Sequence, residues 1–290
     1  MMNEVISRFA PSPTGRLHLG HAWSAVRSHD LARAAGGRFL LRIEDIDPGR
    51  SRPEHIAGII EDLTWLGLSW DGEPVLQSRR LHLYQAALDR LKAMDLVYPC
   101  FCTRAEIAAE IAASASAPHG PDGPLYPGTC RALSADERER RAAEPHAWRL
   151  DIARAIGVAG PLSWYDQGAR RVVAEPEIYG DVVLARKDAP TSYHLAVTVD
   201  DAAQGVTDVV RGEDLFAATH VHRLLQALLG LQPPRYHHHA VITGTDGKRL
   251  AKRSGVPTIA GMREAGMDPA ALLATLRKGE HPIGFARASA

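Results

Sequence analysis

The sequence predicts an α/β protein: a parallel sheet laid down in two halves, an insertion between them that holds every cysteine, and a short helical tail. Three observations carry that reading. A strand, a proline-stiffened turn and a helix follow one another over residues 5–34, and a further strand at 38–45 closes a β-α-β unit. Strand and helix patterns return after Tyr179. Between the two halves, Cys100, Cys102 and Cys130 sit in a segment broken by Ser, Ala, Pro and Gly. The expected divisions are 1–97 and 179–255 for the two halves of the sheet body, 98–178 for the insertion and 256–290 for the tail.

Composition bounds the function. The 290 residues are 45% apolar and 23% charged, ordinary for a soluble chain with ample core. Lys plus Arg and Asp plus Glu both number 34, so formal net charge is zero. That balance argues against a non-specific nucleic-acid coat and leaves room for a local basic face. The N-terminus lacks a long apolar core, and no apolar run approaches a membrane span. A cytoplasmic monomer without a membrane partner is expected. Three cysteines, an odd number, do not form a disulfide framework.

The first strand ends because Val5 to Ala10 run into Pro11 and Pro13, which donate no ladder hydrogen bond. Gly15 permits a turn. From Leu19, the residues Leu19, Ala22, Trp23, Val26, Leu31 and Ala34 recur at helical spacing, and Gly36-Gly37 supplies a left-handed exit. A helix start presents unpaired N–H groups and a positive dipole end, which suits a triphosphate. His18 and His21 share that first turn, and Gly20 between them raises no side chain against a base or ribose. The strand from Arg38 delivers Glu44, Asp45 and Asp47 to its carboxyl end, where ligands of parallel sheets bind. Asp47 reads as a solvated loop acid, whereas Glu44 offers a carboxylate to an ammonium group.

Pro53 opens a helix with Ile56, Ile59, Ile60, Leu63 and Leu66 as its apolar stripe. A second helix over about Leu81 to Met94 buries Tyr84, Leu88 and Leu91, and neither reads as chemistry. In the insertion, Cys-x-Cys at 100–102 and Tyr-x-x-x-Cys at 126–130 bring four ligands together if the intervening helix, about 104–113, folds back. Zinc is expected on Cys100, Cys102 and Cys130, with Tyr126, His119, Asp122 or a water as the fourth ligand. Ser134 to Glu144 forms a capped charged helix. The arginines around it, among them Arg131, Arg149 and Arg170, read as a solvated face with candidate RNA-phosphate contacts.

In the second half, Asp181–Arg186, Tyr193–Asp200 and Thr207–Arg211 read as strands, followed by a helix over about Ala217–Leu229. Tyr193, Asp200 and Arg211 then fall near strand ends, where side chains reach a cleft. His237-His-His239 reads as a strand entrance, with His237 or His238 turned toward a nucleotide. Gly244 to Gly255 is a glycine-bounded loop with four basic residues, and Asp268-Pro269 caps a last helix.

Arg8-Phe-Ala-Pro-Ser-Pro-Thr-Gly15 followed by His18-Leu-Gly-His21 resembles the HIGH signature of class I aminoacyl-tRNA synthetases, in the glutamyl and glutaminyl branch. Arg42-Ile-Glu-Asp-Ile-Asp47 is similar to a block in which the glutamate holds the substrate's amino group. Arg211-Gly-Glu-Asp-Leu215 resembles the pocket block whose arginine contacts a substrate carboxylate. Arg249-Leu-Ala-Lys-Arg253 resembles the KMSKS signature, with Lys252 at the catalytic lysine and Ala251 in place of the usual serine.

The resemblance implies a Rossmann-like class I catalytic domain that takes ATP, Mg²⁺ and L-glutamate. His18, Gly20, His21 and Lys252 would serve ATP, with His18, His21 and Lys252 catalytic. Arg8, Ser12, Glu44, Tyr193 and Arg211 would hold glutamate, and two arginines with one carboxylate match the charges of that amino acid. The cysteine pattern is similar to the zinc site in the acceptor-stem-binding insertion of short glutamyl-synthetase-like proteins, which makes Tyr126 the implied fourth ligand. Only 35 residues follow Gly255, too few for an anticodon-binding region. Along nearly its whole length the chain thus resembles the truncated glutamyl-queuosine tRNA(Asp) synthetases, which attach glutamate to queuosine in tRNA(Asp). Two rival readings are delivery of glutamate to a tRNA acceptor end or carrier protein, and a catalytically silent zinc-bearing RNA-binding module.

Overall fold

The structure, a computed structural model, describes residues 4–113, 119–244, 257–280 and 285–287. Its main sheet has seven strands in the order Val75–Leu76, Arg38–Ile43, Ile6–Phe9, Asp208–Gly212, Arg235–His239, Ser163–Asp166 and Arg170–Val173. The first six run parallel and Arg170–Val173 is antiparallel to its neighbour. Ile6–Phe9 is buried along its whole length, as an inner strand covered by helices on both faces must be. The Leu19–Ala34 helix packs Leu19, Ala22, Trp23 and Val26 into a core shared with Phe39 and Leu41 of the next strand. Gly36 leaves the helix at φ 65°, the left-handed exit that two glycines announce.

Four expected placements differ. Tyr193–Ala203 is a helix, not a strand: its side chains are buried nearly all round, so β-branched residues and continuous apolarity mimicked a buried strand. Tyr193 therefore stands in a first helical turn, and Asp200 lies inside the helix, away from any strand end. Val183–Ala185 leaves the main sheet and joins Ala147–Leu150 and Val97–Cys100 in a separate antiparallel sheet. Conversely, Ser163–Asp166 and Arg170–Val173, from the segment expected to be insertion, extend the main sheet. The His237–His239 triplet lies within a strand rather than at its entrance.

Other local expectations hold. Ser134 Oγ accepts from the Glu137 amide while the Glu137 carboxylate accepts from the Ser134 amide, although the helix spans only Ala135–Arg140. Asp268 accepts from the amides of Ala270 and Ala271 and Pro269 opens the Pro269–Arg277 helix. No helix among the described residues is long and apolar enough to cross a membrane.

Candidate active site

Strand order in the main sheet reverses between Ile6–Phe9 and Asp208–Gly212, and at such a switch point the chains beyond the carboxyl ends part to leave a crevice. A cleft of about 630 Å³ opens there. Arg8, Ser12, His18, Gly20, His21, Glu44, Tyr193 and Arg211 all line it. The structure thus brings these eight residues, suggested by the sequence for ATP or glutamate, together in one cavity, while His237 and His238, one of which was expected to face a nucleotide, do not line it. Lys252 and Ala251 lie outside the described residues. On either side of that loop, Ile242 lines the cleft and Thr258 bridges to His18.

The histidine pair is built into the helix start. His18 is the N-cap of the Leu19–Ala34 helix; its Nδ1 accepts from the Gly20 amide at 3.1 Å. His21 Nδ1 in turn accepts from the His18 amide at 3.1 Å, giving a reciprocal capping box made of imidazoles. An Nδ1 that accepts has no proton, so each neutral ring carries its proton on Nε2. The rings lie with centroids 3.8 Å apart. A Cβ on Gly20 would meet His18 Cε1 at 3.1 Å and Nδ1 at 3.2 Å. Glycine there makes room for the capping ring itself as well as for a ligand.

Around Glu44 the sequence hid a buried charge network. Arg8 Nε donates to Asp201 Oδ1 at 2.9 Å, and Arg42 Nη1 lies 2.9 Å from the same oxygen. Arg42 Nη2 reaches Glu44 Oε1 at 3.5 Å, and the Glu44 amide donates to the Pro11 carbonyl at 3.0 Å, tying the acid to the proline turn. Burial pushes the Glu44 carboxyl above its usual range against the pull of Arg42 and Arg8. Burial also works on Asp201, but Arg8 and Arg42 outweigh it and hold that carboxyl low. Asp200 accepts from Gln77, Arg80 and Tyr84 at 2.9, 2.6 and 2.6 Å and does not line the cleft. The hydroxyl of Tyr84, read as core, thus has an acidic partner.

Arg211 differs from Arg8. It donates to His238 Nε2 at 3.2 Å, Tyr193 Oη at 3.3 Å, His222 Nδ1 at 3.3 Å and Thr219 Oγ1 at 2.5 Å. The exposed Arg–Asp pair that is the ordinary alternative for such an arginine is not what forms: Arg211 is buried at 5% exposure. In the histidine triplet, His239 lines the cleft and contacts Ser24 Oγ at 2.8 Å. His237 instead bonds Asp208, and His238 stands behind Arg211 against Asp166. Alternation puts His237 and His239 on one face, and the place of His239 at the strand's carboxyl end, where ligands of parallel sheets bind, is the signal that would have singled it out.

The cysteines form a second centre. The thiol sulfurs of Cys100, Cys102 and Cys130 lie within 4.8 Å of one another, with Cys102 and Cys130 at 3.4 Å. Tetrahedral zinc at about 2.3 Å from each sulfur puts sulfurs roughly 3.8 Å apart, so the cluster can hold a metal ion. Tyr126 Oη stands 3.5 Å from both Cys100 and Cys102 and accepts from the Cys130 amide at 2.9 Å. His119 and Asp122 do not join the group. The surrounding core of Tyr98, Cys100, Phe101 and Cys130 is small, so a cross-link there matters. Several insertion arginines have local partners: Arg131 pairs with Asp181, and Arg149 lies over the Tyr126 ring.

A switch-point cleft with a histidine-capped helix start is the catalytic core of a class I synthetase. Residues 4–284 match the family model for class I tRNA synthetases of the E and Q type, catalytic domain, and the chain belongs to that family. It is 51% identical over 276 residues to a glutamyl-Q tRNA(Asp) synthetase of Rhodobacter capsulatus, covering 92% of this chain and 97% of that one. A glutamyl-Q tRNA(Asp) synthetase of Deinococcus radiodurans is 47% identical over 272 residues, covering 94% of this chain and 88% of that one. Among solved structures, a glutamate tRNA ligase from Elizabethkingia meningosepticum in complex with its amino acid is similar, at TM-score 0.79 and 28% identity. There the likeness spans 94% of this chain and 60% of that one.

Proposed function

We propose that the protein activates L-glutamate with ATP and passes it to queuosine in tRNA(Asp). The observation that carries this reading is the single cleft in which Arg8, Ser12, His18, Gly20, His21, Glu44, Tyr193 and Arg211 meet. The glutamate α-carboxylate attacks the α-phosphorus of Mg²⁺-bound ATP; a new P–O bond forms and pyrophosphate leaves. A queuosine hydroxyl then attacks the carbonyl of the mixed anhydride, and AMP departs with the electron pair. Catalysis is positioning and charge neutralisation. The Nε2–H groups of His18 and His21 donate to phosphate oxygens, Lys252 supplies positive charge, Glu44 receives the ammonium, and Arg8 and Arg211 face the carboxylates.

The choice of glutamate draws support from the charge pattern of the cleft. The choice of queuosine draws support from the names of the relatives. Zinc on Cys100, Cys102, Cys130 and Tyr126 would brace the insertion, holding the thiols as thiolates. Burial favours the neutral phenol of Tyr126, so a tyrosinate ligand needs the ion's own charge to overturn that preference. Charging separates the acceptors: radiolabelled glutamate should enter queuosine-containing tRNA(Asp) and not the same tRNA lacking queuosine. Equal labelling of both, or labelling that a 3′-end blocking group abolishes, contradicts the queuosine assignment.

A further inference from the structure

Among the described residues that line the cleft, Arg211 is the cation without a carboxylate of its own. Arg8 is bound to Asp201, and Arg42 lies among Asp201, Glu44 and Asp200. Among the described residues no carboxylate pairs with Arg211; its contacts are Tyr193, Thr219, His222 and His238, and its guanidinium lies 5.2 Å from the centre of the Tyr236 ring.

The hydrogen bonds fix the charge of both rings. An arginine only donates, so His222 Nδ1 and His238 Nε2 must offer lone pairs, and both imidazoles are neutral. His222 then carries its proton on Nε2, facing His194 Nδ1 at 3.2 Å, and His238 carries its proton on Nδ1, facing Asp166 Oδ2 at 2.7 Å. The nearest countercharge along this chain of bonds stands one imidazole away from the guanidinium. Burial and the adjacent arginine agree with the geometry: they lower His222 well below the usual histidine range and His238 to about 4. Four of the five guanidinium N–H bonds are spent on these acceptors, leaving one on Nη2. Tyr193, which accepts from Arg211, has its own O–H to give.

We infer that His222, His238 and Thr219 are positioning residues that hold Arg211 through neutral acceptors, and so keep its charge available to select glutamate over glutamine. The inference rests on the proposed glutamate site. An aspartate or glutamate beside Arg211 would fix the guanidinium equally well but cancel the charge that distinguishes a carboxylate from a carboxamide.

The test uses two variants of one shape. His222→Asn and His222→Asp each place an oxygen near the position of Nδ1, and they differ in charge. Dissociation constants for L-glutamate and for ATP would be measured on each full-length variant by calorimetry, with thermal stability alongside. The expected result is roughly 100-fold weaker glutamate binding in His222→Asp than in His222→Asn, with equal ATP binding in the two. Glutamate binding within threefold in the two variants would overturn the inference, since a purely structural role is indifferent to the charge. Should His222→Asp fail to fold, Thr219→Asp against Thr219→Asn poses the same question with the same two outcomes. If the unmodified protein itself binds no glutamate, the functional reading falls, and that result is distinct from equal binding by the two variants.

Discussion

At the scale of single residues, the site's sequence-legible part is its local part. His18, Gly20 and His21 lie within four positions of each other, and their roles follow from one helix start. The exchange of caps that sets both tautomers is local too, yet a histidine N-cap is outside the usual Ser, Thr, Asp and Asn set and was not legible. Asp201 was missed for another reason: its bond to Arg8 joins residues 193 positions apart, and no periodicity carries that pairing.

Glu44 gives the residue-scale prediction. A buried carboxyl whose folded pKa is raised favours the protonated form in the fold, so its contribution to stability is complete below the ordinary value of 4.5 and fades as pH rises through the raised one. An incoming ammonium wants the opposite, ionised form. Glutamate binding should therefore weaken as pH falls through that raised value, with a proton released on binding at the acid end. Calorimetry at a series of pH values from neutral downward reads it. Glu44→Gln should bind weakly and without this acid limb; a limb of unchanged steepness in that variant excludes Glu44 as its source.

At the scale of elements, strands and helices with clear caps or periodicity were legible. Gly36, Pro53, Ser134 and Asp268 each mark a boundary that the structure keeps. Tyr193–Ala203 was not legible, because a helix packed between the Leu81–Ala93 and Ala218–Leu228 helices has no polar face to reveal a 3.6 period. Its burial has a consequence for Asp200, fully enclosed among Gln77, Arg80, Tyr84 and Arg42. Asp200→Ala removes one side of a buried ionic cluster and should destabilise the fold by about 3–5 kcal/mol. Denaturant titration measures it, and a loss below about 1 kcal/mol would show that the cluster relaxes around water instead.

At the scale of the whole molecule, the two-half plan was legible from the repeat of strand and helix patterns, and the assembly of the sheet was not. Ser163–Asp166 pairs with Arg235–His239 through Tyr236 and Asp166, seventy positions apart, and nothing near residue 163 announces that partner. The cysteine cluster was legible because Cys-x-Cys and the distant Cys130 have few other uses, and the fold closes on them. Stripping metal with a strong chelator should release one zinc per chain and lower the melting temperature. Cys130→Ser should do the same without chelator. A protein that carries no zinc after purification, with Cys130→Ser melting as the unmodified chain does, would contradict a structural ion there.

The central claim is that one cleft joins an acidic amino acid to AMP, and it predicts chemistry before any tRNA is added. The most direct measurement is ATP–pyrophosphate exchange without tRNA. L-glutamate should support exchange where L-glutamine does not, and His21→Ala should lower the rate roughly 10²-fold, the usual cost of removing one electrostatic contact to a transition state. Absence of glutamate-dependent exchange, or exchange in His21→Ala at the unmodified rate, would contradict the account.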